Sequence, residues 1–182
     1  LIFLSLIYQS QIYSLNIYDN NFVYLLTYSL LLLLILNIFG LIFLGDSGSY
    51  TLSTILGFYL LNIYVSNQIF SPYYIAALLW YPAFENLYSL VRRIKFNQNV
   101  SSADNAHIHH FIYKYLIDKR FFREKYTNTY SSLIILTLNF PSFIICNIFP
   151  TNTKILVSLI ICNIGFYLFF YYLLFKYFKN KK

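Results

Sequence analysis

From Phe22 to Leu44 the chain carries no charged residue, and the same holds from Ile155 to Phe175. Few folds are open to runs of that length. Crossing about 30 Å of hydrocarbon takes about 20 apolar residues in a helix, because each backbone N–H and C=O must find its partner inside the segment. Three further windows have this character: Thr51 to Ser66, which is short; Pro72 to Val91, interrupted by Pro82; and Tyr130 to Phe149, with Pro141 near its middle. Leu1 to Tyr8 reads as the tail of another helix. The expected fold is therefore all-α, a polytopic transmembrane helical bundle of about five full spans plus that tail.

Composition excludes an ordinary soluble domain. Hydrophobic residues make up 59% and charged residues 10%, against roughly 25% charged in soluble domains, and mean hydropathy is +0.59. The many Tyr, Phe, Ile and Asn residues are read as composition and not as an aromatic binding box. Methionine is absent and the chain opens at Leu1 inside an apolar run. A signal peptide would show a basic segment ahead of its apolar stretch. The expectation is a piece lacking its N-terminal part.

Charge asymmetry orients the helices. Arg92, Arg93, Lys95, Lys114, Lys119, Arg120, Arg123 and Lys125 lie between the third and fourth spans, and Lys176, Lys179, Lys181 and Lys182 close the chain; only Lys154 sits elsewhere. The positive-inside rule makes the long loop and the C-terminus cytoplasmic. Counting backward puts residues 66–72 and 9–21 outside and the "GDSGS" stretch inside. Taken singly, the basic residues need be no more than a topology signal beside anionic headgroups. Cys146 and Cys162 fall in different apolar windows and are expected to pack as small apolar residues.

Three clusters converge on that cytoplasmic side. In "GDSGSYTLS", Gly45 and Gly48 allow close backbone approaches, and Ser47 or Ser49 can cap the following helix, whose amides would offer an anion site. Asp46 there is either a solvated residue of a capping turn or a carboxylate holding a hard cation such as Mg²⁺. In "WYPAFENLYSLVRR", Glu85, Ser89, Arg92 and Arg93 share one helix face. Glu85 lies inside the membrane end and calls for an arginine partner or a polar cavity. In "SSADNAHIHH", Asp104 precedes every histidine of the chain: His107, His109 and His110. The spacing admits zinc, for which a fourth ligand is missing nearby, and equally a phosphate or pyrophosphate bound by imidazoles and arginines.

In order, "FLGDSGS", "PAFENLYSLVRR" and "DNAHIHH" resemble the C-terminal half of the polyprenyl-phosphate N-acetylhexosamine-1-phosphate transferases, glycosyltransferase family 4. The resemblance covers nearly the whole chain and makes residues 1–182 the C-terminal part of one integral membrane transferase domain. It implies transfer of a sugar-1-phosphate from a UDP-sugar to polyprenyl (undecaprenyl) phosphate with release of UMP, the first membrane step of a cell-envelope glycan such as lipopolysaccharide or O-antigen. It implies Mg²⁺, with Mn²⁺ as a substitute, and a multi-pass place in the bacterial inner membrane with a cytoplasmic active face. Asp46, His107, His109 and His110 take the family's catalytic positions, Asp46 as the metal ligand. Arg92, Arg93, Asp104, Gly48 and Ser49 take substrate-binding ones. The His-x-His-His pattern fits the hexosamine-phosphate branch better than the muramoyl-pentapeptide branch. Expected partners are the UDP-sugar, the lipid phosphate, the membrane and, as an assembly open to it, a second copy in a homodimer; nucleic acid is not among them. Glu85 stands where many members have aspartate. The family's adjacent-aspartate and "DG" motifs should precede Leu1, so the chain alone is expected to be inactive. The rival reading is a membrane transporter or assembly subunit in which Glu85 and Asp46 line a charged path.

Overall fold

The computed structural model describes residues 1–12, 20–42, 44–66, 69–97, 106–120 and 124–181. Among them are eight α-helices and no strand: α1 (Ile2–Ile12), α2 (Asn20–Ile38), α3 (Gly45–Ser66), α4 (Pro72–Leu78), α5 (Trp80–Lys95), α6 (Ile108–Asp118), α7 (Glu124–Ile148) and α8 (Thr153–Lys181). Helices α2, α7 and α8 are long and apolar enough to cross a membrane. Their outward faces are rich in exposed side chains such as Leu25, Leu32, Ile161 and Phe169. An apolar surface of that extent suits lipid and not water. The chain is a helical membrane protein.

Two expected spans are revised by local chemistry. The first ends at Ile38, not Leu44. Gly40 adopts φ +70, and the Gly40 N–H to Asn37 carbonyl (2.9 Å) and Leu41 N–H to Leu36 carbonyl (3.0 Å) bonds close the helix, a glycine-dependent C-terminal motif. The window 72–91 is two helices. Pro82 has no N–H, and its ring would clash with the carbonyl of Leu78, the last residue of α4. The chain breaks at Leu79 (φ −97, ψ 4), and α5 restarts from Trp80. Pro141, by contrast, lies inside α7 without ending it.

The buried side chains fall into two clusters at different levels. One joins α1 to α4 with the facing ends of α7 and α8, through Leu6, Val23, Leu60, Ile63, Tyr74, Leu78, Cys146 and Leu156. Asn147 holds it together with polar bonds: its amide donates to Ser5 Oγ (2.7 Å), and its Oδ1 accepts from Gln9 Nε2 (3.1 Å) and Tyr74 OH (3.3 Å). The other cluster joins α6 to the later part of α8 through Ile108, Phe111, Ile112, Leu116, Tyr167, Tyr171 and Leu174. Ser71 meets Thr153 at the start of α8 (2.9 Å), and Arg92 meets Tyr171 in its later part (2.5 Å), so the α4–α5 pair runs parallel to α8. Cys146 is buried as expected, whereas Cys162 is exposed; both are free.

Helix α8 has 29 residues, about 43 Å at ~1.5 Å per residue, enough to separate its ends across the bilayer. A cysteine at Asn180 is expected to react with impermeant maleimide from the cytoplasmic side, together with one at Ser102 (outside the described residues), and one at Asn152 from the opposite side. Labelling of positions 152 and 180 from the same side would refute the crossing.

Candidate functional site

The second cluster supports a loop docked on the end of α5. Glu85, Ser89 and Arg93 are buried and Arg92 is half-buried, so the four expected to share a face do turn inward together. Aromatic side chains lock α5 to α8: Phe84 packs edge-on to Tyr167 at 5.2 Å, and Tyr88 to Tyr171 at 4.9 Å. Edge-to-face pairs at such distances stabilise beyond their area burial, by about 0.5–1.5 kcal/mol each. Tyr81, Phe84 and Tyr88 recur at helical spacing on α5, and Tyr167 and Tyr171 on α8. That repeat was the available signal for this interface, and a reading of the aromatics as composition passes over it.

Glu85 reaches from α5 to the start of α6. Its Oε1 accepts the Ile108 backbone N–H at 2.9 Å and lies 3.1 Å from His107 Nδ1. The carboxylate thereby supplies an acceptor that His107, the residue preceding α6, does not supply with its own side chain. A negative group at a helix N-terminus is favoured by the helix dipole. Glu85, expected to have an arginine partner or to line a polar cavity, is met among the described residues by His107 Nδ1. Its Oε2 is buried beside the Tyr81 and Tyr167 side chains.

Arg92 and Tyr171 hold the preceding residue. Arg92 Nη1 donates to the Ala106 carbonyl and to Tyr171 OH, and Tyr171 OH donates to the same carbonyl at 3.2 Å. The Arg92 guanidinium also sits over the Tyr171 ring, 5.9 Å from its centroid. Residues 106–108 are thus fixed from α5 and α8 at once. This presents the three imidazoles as one group, with ring centroids 4.2 Å apart for His109 and His110 and 5.4 Å apart for His107 and His109. His109 is exposed and the other two are half-buried.

Asp46, Gly48 and Ser49 belong to α3, not to the elements that carry the histidines. Helix α3 begins at Gly45 (φ +68), so the motif forms its first turns. Ser47 and Ser49 are consequently inside the helix and not its caps; Ser49 Oγ donates back to the Gly45 carbonyl at 2.9 Å. A Cβ on Gly48 would come within 2.8 Å of Leu44 Cγ, so the exposed Leu44 side chain would have to turn aside to admit one. Asp46 is exposed. The later part of α3, with Leu60 and Ile63, belongs to the first cluster, and Asp46 stands about 20 Å from Leu60 along the helix at ~1.5 Å per residue. Among the described residues no hydrogen bond or ion pair joins Asp46 to the histidine loop, and Asp104 lies outside the described residues.

Among the described residues no group of three His, Cys, Asp or Glu side chains could hold a metal ion. Mg²⁺, however, commonly takes one or two carboxylates and completes its shell with phosphate oxygens and water. The exposed carboxylate of Asp46 fits one such ligand. For the histidines, we expect protein from a metal-replete host to contain no stoichiometric zinc. One equivalent of zinc, lost on His109→Ala, would assign the loop to metal binding.

A curated protein of Bacillus subtilis (strain 168), a probable undecaprenyl-phosphate N-acetylglucosaminyl 1-phosphate transferase, is 37% identical to the chain over 73 residues. The match covers 38% of this chain and 20% of that protein's length. No protein-family model and no solved structure matches the chain.

Proposed function

We propose that the chain provides the histidine-loop part of a membrane transferase that moves an N-acetylhexosamine 1-phosphate from a UDP-sugar to polyprenyl phosphate. The observation that carries this reading is the docked loop. Glu85, Arg92 and Tyr171 fix residues 106–108, and three histidines are set together at a basic end of the bundle. The partial likeness to the Bacillus subtilis protein supports the same class of reaction. The transporter reading requires Glu85 and Asp46 on one path. Glu85 is instead engaged as the acceptor that holds residues 107 and 108.

In the proposed reaction a lipid phosphate oxygen attacks the sugar-bearing phosphorus. The bond from that phosphorus to the bridging oxygen breaks, and UMP leaves with the bonding pair. His107, His109 and His110 donate hydrogen bonds to pyrophosphate oxygens, and Arg92 and Glu85 hold the loop that presents them. Asp46 is one carboxylate ligand to Mg²⁺, or Mn²⁺ in its place. When bound, the cation neutralises charge on the pyrophosphate. The active face is cytoplasmic, where the basic segments lie, in a multi-pass inner-membrane protein.

Membranes carrying the protein expressed from its complete gene should release UMP from UDP-N-acetylglucosamine only when polyprenyl phosphate is added. Correctly inserted protein that releases none with any UDP-N-acetylhexosamine would overturn the proposal.

A further inference from the structure

A cavity of about 530 Å³ opens between α6 and the last turns of α8 and is lined by Phe111, Lys114, Phe175, Phe178, Lys179 and Lys181. Its depth in the bilayer follows from the length of α8. That helix is about 43 Å long (29 residues at ~1.5 Å each), whereas the hydrocarbon layer is about 30 Å thick. With the apolar part of α8 in hydrocarbon, its lysine-bearing end reaches the headgroup layer. Helix α6 lies alongside, with Ile108, Phe111, Ile112 and Leu116 buried and Lys114 exposed.

The lining has two chemistries at this one depth. Phe111 stacks on Phe178 at 5.9 Å and meets Phe175 edge-on at 6.4 Å, giving an aromatic floor. Around it stand three ammonium groups. Lys181 pairs with Asp118, whose carboxyl is held below its ordinary range by hydrogen bonds from Lys181 and Tyr177. Lys114 sits 6.0 Å from the centre of the Phe111 ring. Neither Lys114 nor Lys179 has an ion-pair partner among the described residues. One carboxylate against three ammonium groups leaves the cavity cationic. Positive charge needed only to set topology would require no cavity and no aromatic floor.

The geometry points to a site for an anionic phospholipid. Its phosphodiester lies between Lys114 and Lys179, and its upper acyl carbons lie on Phe111, Phe175 and Phe178. The lining includes none of the three histidines, although Phe111 directly follows His110 on α6, and lipid retention is measured without any transferase turnover.

Protein purified in mild detergent and passed through nanodiscs of phosphatidylcholine doped with phosphatidylglycerol of the same acyl chains tests this directly. Co-purifying lipid is quantified by mass spectrometry. Retained lipid should be enriched in phosphatidylglycerol. Lys114→Gln and Lys179→Gln should each reduce the enrichment about fivefold, the fold-change for about 1 kcal/mol per basic residue near an anionic surface. Lys114→Arg should keep it, and Lys154→Gln, at the other end of α8, should leave it unchanged. Equal retention of the two lipids, or enrichment indifferent to both glutamine variants, would overturn the site. So would displacement of the lipid by millimolar inorganic phosphate, which would mark a free-anion site instead. If the Lys114→Gln protein does not fold, loss of enrichment in folded Lys179→Gln decides the matter.

Discussion

Asp46→Asn is expected to reduce UMP release to background while leaving the protein in the membrane at its usual level. The carboxylate is exposed in the first turn of α3 and has no hydrogen bond or ion pair there among the described residues, so the fold loses little when it becomes an amide. What changes is the charge a hard cation prefers in its ligands. Transfer measured at saturating Mg²⁺, beside a blot of membrane-inserted protein, separates the two effects. Turnover near the unsubstituted rate would return Asp46 to the role of a first-turn residue interacting with the helix dipole, a contribution of about 0.3–1 kcal/mol at an exposed site.

The second large effect is expected at Glu85, through the loop it holds. In Glu85→Ala the Ile108 N–H, buried and bonded at 2.9 Å, loses its acceptor, and His107 loses the carboxylate 3.1 Å from its Nδ1. A buried donor left unsatisfied costs about 1–3 kcal/mol. If that energy is what keeps the imidazoles in place, kcat/KM falls roughly ten- to a hundredfold. Glu85→Gln retains an acceptor for Ile108 but not the charge facing His107, so it should fall between. Hydrogen exchange at the Ile108 amide gives a readout independent of turnover. It should lose protection in Glu85→Ala and keep most of it in Glu85→Gln. Unchanged exchange in Glu85→Ala would show that the carboxylate does not hold the loop.

Apolar periodicity and length were enough to read the helical membrane fold, because a membrane span is a local property of about 20 residues. They did not give the helix ends. Gly40 closes α2 through its left-handed backbone, and Pro82 acts on Leu78 four residues earlier, while Pro141 sits within an unbroken α7. Hydropathy does not distinguish these cases. At the site, the need of Glu85 for a partner was readable from its position on α5. The identity of that partner was not, since His107 lies 22 residues away in sequence and nothing local favours it over Arg92 or Arg93. Tyr171 is 65 residues from the carbonyl it binds, beyond any spacing rule. The serines of "GDSGS" resemble caps in sequence. They lie inside α3, whose first residue is Gly45.

The most direct test follows the phosphorus. With UDP-N-acetylglucosamine labelled with ³²P at the β position, sugar-1-phosphate transfer carries the label into polyprenyl lipid and releases unlabelled UMP. Lipid-soluble label should appear in step with UMP, one for one, and be lost in Asp46→Asn. Release of labelled UDP with unlabelled glycolipid would mean that the sugar alone moves, and would contradict it.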